Sequence, residues 1–180
     1  FFIKTDWVPD VAVGDFDSLS AAGEKYLDSL KETEIVRLKP EKDDSDTQSA
    51  VNFAIDRGAK NITIFGATGN RIDHLLANFG LLVLGRERGT DIILIDQWNY
   101  MKLVESGTVL KKKEQFGKYV SFFSLEGDMP GLTLVGFKYP LDHYHLRVSD
   151  SGLTVSNEIE AEEAVVSFDG KSLLMLMTRD

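Results

Sequence analysis

The chain has 180 residues, 43% of them hydrophobic and 27% charged, which is typical of a soluble globular protein. It carries 20 Lys and Arg against 29 Asp and Glu, a formal charge of −9, which argues against nucleic-acid binding through clustered cations. The lack of cysteine excludes disulfides and thiolate chemistry and is compatible with the cytoplasmic location that we expect. No apolar run approaches the roughly 20 residues that a membrane-spanning helix needs, so we expect no membrane partner.

The first half of the sequence alternates strand-like and helix-like segments. Four short apolar runs have the composition of strands buried on both faces: Val11–Gly14, Ile35–Leu38, Ile62–Phe65 and Ile92–Ile95. Between them, one helical stripe follows the candidate N-cap Ser45 and stops at Gly58, and a second begins at Leu75 and ends near Gly85. This order predicts a Rossmann-like α/β domain with a mostly parallel sheet over residues 1–100. Because the sequence begins at Phe1, almost within a strand–turn pattern, we also expect native residues to precede it.

From about Met101 the pattern changes to short β-rich segments punctuated by glycine, with no long helical stripe. The predicted strands include Lys118–Ser124, Thr133–Phe137, Leu153–Ser156, Ala164–Phe168 and Leu173–Met177. Such a series predicts an all-β sandwich or half-barrel over residues 101–180. A β-domain of roughly 80 residues buries a modest core, so we expect it to pack against a partner.

Two aspartates, Asp15 and Asp17, follow the first predicted strand in the segment Gly14-Asp15-Phe16-Asp17-Ser18. In open α/β sheets the carboxyl ends of the strands face the ligand crevice, so carboxylates at this position favour a binding site. In an extended turn, two aspartates two residues apart point the same way and can both reach one Mg²⁺. The alternative is an ordinary turn in which Asp and Ser cap the next helix.

The second predicted strand is followed by Lys39–Gln48, which holds four carboxylates and two lysines in ten residues. Neighbouring carboxylates repel one another unless they share a cation. Asp43 and Asp46 would lie on one face of a helical turn, and Lys42 could reach a phosphate oxygen. The alternative is a solvated, charged loop.

The third junction, Gly66–His74, combines two glycines with the start of a helix. Gly66 and Gly69 favour a backbone cradle for phosphate, and Arg71 offers a planar fork of donors. Asp73 adds a carboxylate beside the arginine, although the two side chains could simply pair with each other. Because three such junctions are expected at one edge of a sheet, they together predict a polyphosphate–metal site.

The ordered set of motifs resembles the thiamine pyrophosphokinase family. The family's marks are a Gly-Asp-Phe-Asp-Ser turn, a Lys-Asp-x-Thr-Asp segment, a Gly-x-x-Gly-Gly-Arg-x-Asp-His loop and a late Ser-Asn pair. They correspond here to Gly14–Ser18, Lys42–Asp46, Gly66–His74 and Ser156-Asn157. The departures are Ser45 for threonine, which keeps the hydroxyl, and Asn70 for glycine.

The resemblance implies Mg²⁺-dependent transfer of a pyrophosphoryl group from ATP to thiamine by a homodimer, with thiamine near the subunit interface. It implies that the magnesium-binding and catalytic carboxylates are Asp15, Asp17, Asp43, Asp46 and Asp73. It also implies phosphate contacts from Lys42 and Arg71, a nucleotide loop containing Gly66 and Gly69, and a thiamine pocket lined by Ser156 and Asn157.

Two other functions remain open at this point. A phosphatase of the haloacid-dehalogenase type also places an Asp-x-Asp after a strand, but it would leave Gly66–His74 unexplained. A metal or nucleotide sensor would bind through the same loops without turnover. Sequence also leaves open whether Asp96 faces the crevice or merely ends a strand, and whether Trp98 and Tyr139 stack on a substrate or pack at a domain seam. For His143 and His145, an exposed strand face is favoured over a metal pair.

Overall fold

The computed structural model describes residues 7–39, 44–150 and 152–180. The chain divides into two compact units, one ending at Ala59 and the other beginning at Lys60. None of the helices in these described ranges is long and apolar enough to cross a membrane. The domain boundary near residue 100, predicted from the change in periodicity, stays a prediction.

In the described residues of the first unit there are two strands and two helices, in chain order β1 (Val11–Gly14), α1 (Ala21–Ser29), β2 (Glu34–Arg37) and α2 (Asp46–Asp56). Strands β1 and β2 pair in parallel, and α2 packs against β1. The predicted cap of α2 is confirmed, because Ser45 Oγ accepts the backbone N–H of Gln48 at 3.2 Å. Gly58 adopts a φ of 91° just beyond the helix, the left-handed conformation for which glycine is suited.

The second unit carries one long helix and the remaining strands. Its elements are β3 (Asn61–Phe65), α3 (Ile72–Glu87), β4 (Asp91–Ile95), β5 (Asn99–Val104), β6 (Thr108–Lys111), a short 3₁₀ helix (Lys112–Glu114), β7 (Tyr119–Phe123), β8 (Met129–Val135), β9 (Leu141–Leu146), β10 (Asn157–Glu158), β11 (Glu163–Ser167) and β12 (Leu173–Thr178). One sheet has the strand order β10-β7-β12-β5-β4-β3, and a second has the order β6-β11-β8-β9. Strands β3 and β4 pair in parallel, and the other neighbours in both sheets pair antiparallel.

The predicted Rossmann-like domain with a mostly parallel sheet is not confirmed. Both pairs of early strands are parallel, but β1 and β2 form a separate two-stranded sheet, while β3 and β4 belong to the mixed six-stranded sheet. On its other edge β4 accepts β5 in antiparallel register, with Ile93 opposite Lys102. A short buried apolar run does not specify the direction of its partner, so the sequence pattern could not distinguish these arrangements.

The predicted end of helix α3 near Gly85 agrees with its last residue, Glu87. A Cβ on Gly85 would lie 2.6 Å from the side chain of Ile92, so glycine at this position permits close packing of α3 on β4. One further prediction is wrong. The predicted strand Leu153–Ser156 is instead a series of turns. There Thr154 donates its hydroxyl to the carbonyl of Phe122 and its own carbonyl accepts from the Phe122 N–H, which ties the turns to β7.

The core of the second unit lies where strands of both sheets bury their inner faces. The side chains buried most completely include Phe122, Leu132, Leu134 and Leu173. Phe122 meets Phe137 edge to face, with the ring centroids 5.7 Å apart. Within this unit, the loop between β3 and α3 and the turn between β4 and β5 lie at the ends of strands of the six-stranded sheet.

Candidate active site

The Gly14–Ser18 motif forms a strained turn at the end of β1. Phe16 has a φ of 60°, in the left-handed region that residues other than glycine rarely occupy. The backbone N–H of Asp17 donates to Asp15 Oδ1 at 3.1 Å, and the Arg37 guanidinium lies 5.3 Å from the centroid of the Phe16 ring. Asp15 and Asp17 thus lie on either side of a residue in the left-handed conformation. The predicted extended turn is wrong: the segment forms a tight turn, in which the Asp17 N–H holds the Asp15 carboxylate.

Asp46 lies beside this turn. It occupies the first turn of α2, and a Cβ built on Gly14 would be 3.8 Å from Asp46 Oδ2. Because α2 packs on β1, the structure brings Asp46 close to the strand end that carries Asp15 and Asp17. Three of the predicted carboxylates thus belong to one region of the first unit.

The neighbouring Asp44 has a different environment. Its Oδ1 accepts from Gln48 Nε2 at 2.7 Å and its Oδ2 from Asn52 Nδ2 at 3.4 Å, so both carboxylate oxygens are engaged by α2. The predicted site residues Lys42 and Asp43 lie outside the described residues, and their roles stay predictions.

The loop from Gly66 to Asn70, named here the phosphate loop, joins β3 to α3. Gly66 has a φ of 74°, and a Cβ at Gly66 or Gly69 would meet no atom of the described residues within 4 Å. This leaves room for a ligand to approach the backbone at both glycines. Asn78 of α3 is buried and donates from Nδ2 to the carbonyl of Ala67 at 2.9 Å.

Arg71 and Asp73 pair with each other at the start of α3, as the sequence allowed. Arg71 Nε donates to Asp73 Oδ1 at 3.1 Å, and Nη2 donates to Oδ2. The hydrogen bonds from Arg71 lower the pKa of Asp73, and the backbone N–H of His74 adds to this. The side chains are 69% and 62% exposed, so both charges remain accessible to solvent and to a ligand.

Asp96 follows β4 and is engaged by several donors. It accepts from the Thr68 hydroxyl, from the backbone N–H groups of Trp98 and Asn99 at 2.7 Å each, and from Asn99 Nδ2 at 3.0 Å. Burial acts to raise the pKa of Asp96, but these hydrogen bonds outweigh it and lower the pKa below its ordinary value. The carboxylate is therefore held ionised within protein contacts.

The predicted thiamine-binding pair lies where the turns after β9 meet β10. Ser156 has a φ of 57°, and its backbone N–H donates to Ser121 Oγ at 3.0 Å. Asn157 is 2% exposed; its Nδ2 donates to the carbonyl of Tyr139 at 2.7 Å and its Oδ1 accepts the Tyr139 N–H at 3.0 Å. Asn157 thus clamps the backbone of Tyr139, whose side chain is 57% exposed, with Lys138 Nζ lying over one face of the ring at 5.6 Å from its centroid.

The two histidines of β9 have separate acidic neighbours. His143 Nδ1 is 2.6 Å from Asp142 Oδ1, and His145 Nε2 is 3.3 Å from Asp128 Oδ2. Across the described ranges, no group of three or more His, Asp or Glu side chains is arranged to hold a metal ion. Both histidines are exposed on β9, as expected for an exposed strand face.

The chemistry of the carboxylates still fits magnesium. Mg²⁺ is commonly bound by one or two protein carboxylates together with substrate phosphates and water, so a protein set smaller than three suits it. In the first unit, one or two of Asp15, Asp17 and Asp46 could supply such oxygen donors, whereas both carboxylate oxygens of Asp73 are engaged by Arg71.

Sequence reasoning missed the residues that hold the phosphate loop, namely Thr68 and Asn78. A signal for Asn78 was present, because it lies on the apolar stripe of α3 between Leu75 and Leu82, where a polar residue requires a buried partner. Thr68 carried no comparable signal, since its acceptor Asp96 lies 28 residues away in the sequence.

Comparisons with known proteins cover both halves of the chain. Residues 2–94 match the family model described as thiamin pyrophosphokinase, catalytic domain, and residues 107–173 match thiamin pyrophosphokinase, vitamin B1 binding domain. The thiamine pyrophosphokinase of Bacillus subtilis (strain 168) is 34% identical over 173 residues, which is 96% of this chain and 80% of that protein.

Solved structures agree with these matches. The crystal structure of thiamine pyrophosphokinase from Bacillus subtilis superposes with a TM-score of 0.89 at 31% identity, covering 99% of this chain and 83% of that one. A thiamin pyrophosphokinase family protein from Enterococcus faecalis gives a TM-score of 0.84 at 36% identity, covering 99% and 84%.

Proposed function

The chain belongs to the thiamine pyrophosphokinase family, and from that premise we propose how its own residues carry out the reaction. The enzyme transfers the pyrophosphoryl group of ATP to the hydroxyl of thiamine, giving thiamine diphosphate and AMP. The observation that carries this assignment is the pair of family matches, catalytic then vitamin B1-binding, in order along one chain. Neither the phosphatase nor the sensor reading gains support from them.

The metal proposal rests on the carboxylates. Asp15, Asp17 and Asp46 are proposed to hold Mg²⁺, with Asp43 and Asp73 assigned the same role by the resemblance. The hydrogen bond from the Asp17 N–H orients Asp15, and the position of Asp46 beside Gly14 places a second carboxylate near the same strand end. When bound, Mg²⁺ supplies charge neutralisation on the β- and γ-phosphates.

The phosphate contacts are proposed to come from the phosphate loop and Arg71, with Lys42 from the resemblance. The open space at Gly66 and Gly69 supports backbone contact with an anion. Arg71 presents a planar fork that is already oriented by Asp73. In such transfers positioning and charge stabilisation contribute most of the rate, so a fixed guanidinium would act mainly on the transition state.

For thiamine, we propose that Tyr139 offers a stacking surface and that Ser156 lies beside it. The exposed ring of Tyr139 and the buried clamp from Asn157 support this proposal. Aromatic rings bind cationic ligands face-on, and thiamine carries a cationic ring. Asn157 would then act by holding Tyr139, because its amide is already engaged by backbone.

The homodimer and the cytoplasmic location stay proposals. A dimer through the β-rich half follows from the resemblance, and sedimentation at micromolar protein concentration measures it. A monomer with full activity would contradict the dimer proposal.

Radiolabelled ATP, incubated with Mg²⁺ in the presence and absence of thiamine, tests the proposed function. We expect label to pass to thiamine and little hydrolysis without it. Hydrolysis that ignores thiamine would indicate the phosphatase, and the absence of any turnover would indicate the sensor.

A further inference from the structure

The phosphate loop is anchored at two consecutive residues by two different elements. Asn78 of α3 donates to the carbonyl of Ala67 at 2.9 Å, and the Thr68 hydroxyl donates to Asp96 at the end of β4. Asn78 is buried and Thr68 is partly buried, so both bonds are shielded from competing water. The anchors lie between Gly66 and Gly69, the two residues that give the loop its conformational freedom.

Besides its bond with Thr68, Asp96 is held in place by hydrogen bonds from Trp98 and Asn99. Its Oδ1 accepts from the backbone N–H groups of Trp98 and Asn99 at 2.7 Å each, and Asn99 Nδ2 reaches both carboxylate oxygens at 3.0 Å. These bonds hold the carboxylate against the turn that joins β4 to β5, two neighbouring strands of the six-stranded sheet. The sheet therefore fixes the position of the Asp96 carboxylate, and the carboxylate in turn fixes the Thr68 hydroxyl.

The negative charge of Asp96 strengthens its hydrogen bond with Thr68. The donors around Asp96 keep its carboxylate ionised at neutral pH, and a hydrogen bond to a charged acceptor is roughly twice as strong as one between neutral groups. Both carboxylate oxygens are engaged, Oδ1 by the N–H groups of Trp98 and Asn99 and Oδ2 by the Thr68 hydroxyl, which favours a contribution to the reaction that passes through the loop.

We propose that Asp96 is a positioning residue for pyrophosphoryl transfer, acting through Thr68 to set the phosphate loop and the Arg71 that follows it. The inference rests on the proposed function, in which this loop and Arg71 contact the ATP phosphates. Errors of about 1 Å in such positioning can lower a rate by roughly 100-fold, so a single anchoring bond is sufficient to matter.

A matched set of variants separates positioning from stability. Thr68→Val removes the bond to Asp96 and keeps the shape of the side chain, while Thr68→Ser keeps the hydroxyl. Thr33→Val is the matched control, because it removes the hydroxyl of a buried threonine in the first unit, which donates to the carbonyl of Pro9 at 2.6 Å, and leaves the phosphate loop and Asp96 unchanged. Steady-state kinetics with each substrate varied, together with thermal melting, are measured for all three variants and the wild type.

We expect Thr68→Val to lower kcat/KM for ATP by about 10- to 100-fold, with the thiamine KM unchanged. Thr68→Ser is expected to restore most of this loss. Thr33→Val is expected to lower the melting temperature, because a buried hydrogen bond is lost, while keeping the ATP kinetics of the wild type.

Wild-type kinetics in Thr68→Val would overturn the proposal. So would a loss of activity that follows the fall in melting temperature equally in Thr68→Val and Thr33→Val, or a failure of Thr68→Ser to recover activity. The wild-type reaction distinguishes these outcomes from failure of the proposed function, because in that case the wild type itself would transfer no label to thiamine.

Discussion

Arg71 and Asp73 form an ion pair at the start of α3, with Arg71 Nε 3.1 Å from Asp73 Oδ1 and a second hydrogen bond from Nη2 to Oδ2. The pair is exposed, so its contribution to stability is small. In the proposed function, the pair holds next to the phosphate loop the guanidinium that would contact the ATP phosphates.

We therefore expect Arg71→Lys to lower kcat by about 10- to 100-fold, because lysine keeps the charge but loses the planar fork that supports a developing phosphate charge. Steady-state kinetics measure the change. Arg57→Lys is the matched control, since Arg57 forms a similar exposed two-bond pair with Glu34 at 2.7 Å in each bond. Equal kinetics for the two variants would contradict the assignment of Arg71.

Replacement of the aspartates flanking Phe16 tests the magnesium proposal. Asp15→Asn and Asp17→Asn are each expected to abolish turnover with the fold intact, because an amide neutralises the charge that a cation requires. Circular dichroism and Mg²⁺-dependent kinetics are the measurements. Asp28→Asn, on the exposed side of α1, serves as the control. Near wild-type activity in either test variant would exclude that aspartate as an essential ligand.

Variants of Asn157 and Tyr139 distinguish a structural role from a thiamine-binding role in the β-rich half. Asn157→Asp loses the donor to the Tyr139 carbonyl and buries a charge, so we expect a loss of about 1–3 kcal/mol in unfolding free energy and a raised thiamine KM. The ATP KM should change little. Tyr139→Phe keeps the ring and is expected to behave as the wild type, whereas Tyr139→Ala should raise the thiamine KM without the loss of stability. An unchanged thiamine KM in Tyr139→Ala would rule out the stacking role.

Asp96 gives a prediction on pH and stability. Its folded-state pKa lies below its ordinary value of 3.8, so its ionised form stabilises the fold above that value and the contribution is lost as pH falls through the folded-state pKa. Asp96→Asn is therefore expected to cost about 1–3 kcal/mol at pH 7 and less below about pH 4. Urea unfolding across this range measures the difference. A cost independent of pH would show that the charge of Asp96 is not what stabilises the turn.

Local features of the fold could be predicted from the sequence because their causes are local. Ser45 caps α2 through a hydroxyl three residues from its donor, and Gly58 ends the helix through a left-handed backbone. Sheet membership could not be predicted in the same way. Strand β12 lies between β5 and β7, and its apolar run would suit a buried strand of either direction. The pairing depends on partners far along the chain, which periodicity does not specify.

In the candidate site too, some features follow from the local sequence and others depend on contacts between distant segments. Asp44 and Asp46 both lie in an acidic run, and the resemblance assigns a role only to Asp46; in the structure Asp44 is engaged by Gln48 and Asn52, whereas Asp46 lies beside Gly14. The distinction arises because α2 begins after Ser45 and packs on β1. The role of Asp96 could not be decided from the sequence for a related reason. Its contact with Thr68 joins the segments that follow two different strands.

The measurement that tests the central claim most directly is the product analysis of a single turnover, with enzyme in excess over ATP labelled at the α- and γ-phosphates. Attack on the β-phosphorus predicts equal amounts of AMP and thiamine diphosphate, with the γ-label in thiamine diphosphate and no thiamine monophosphate at any time. Stoichiometric ADP with thiamine monophosphate would contradict pyrophosphoryl transfer, whatever the arrangement of the carboxylates.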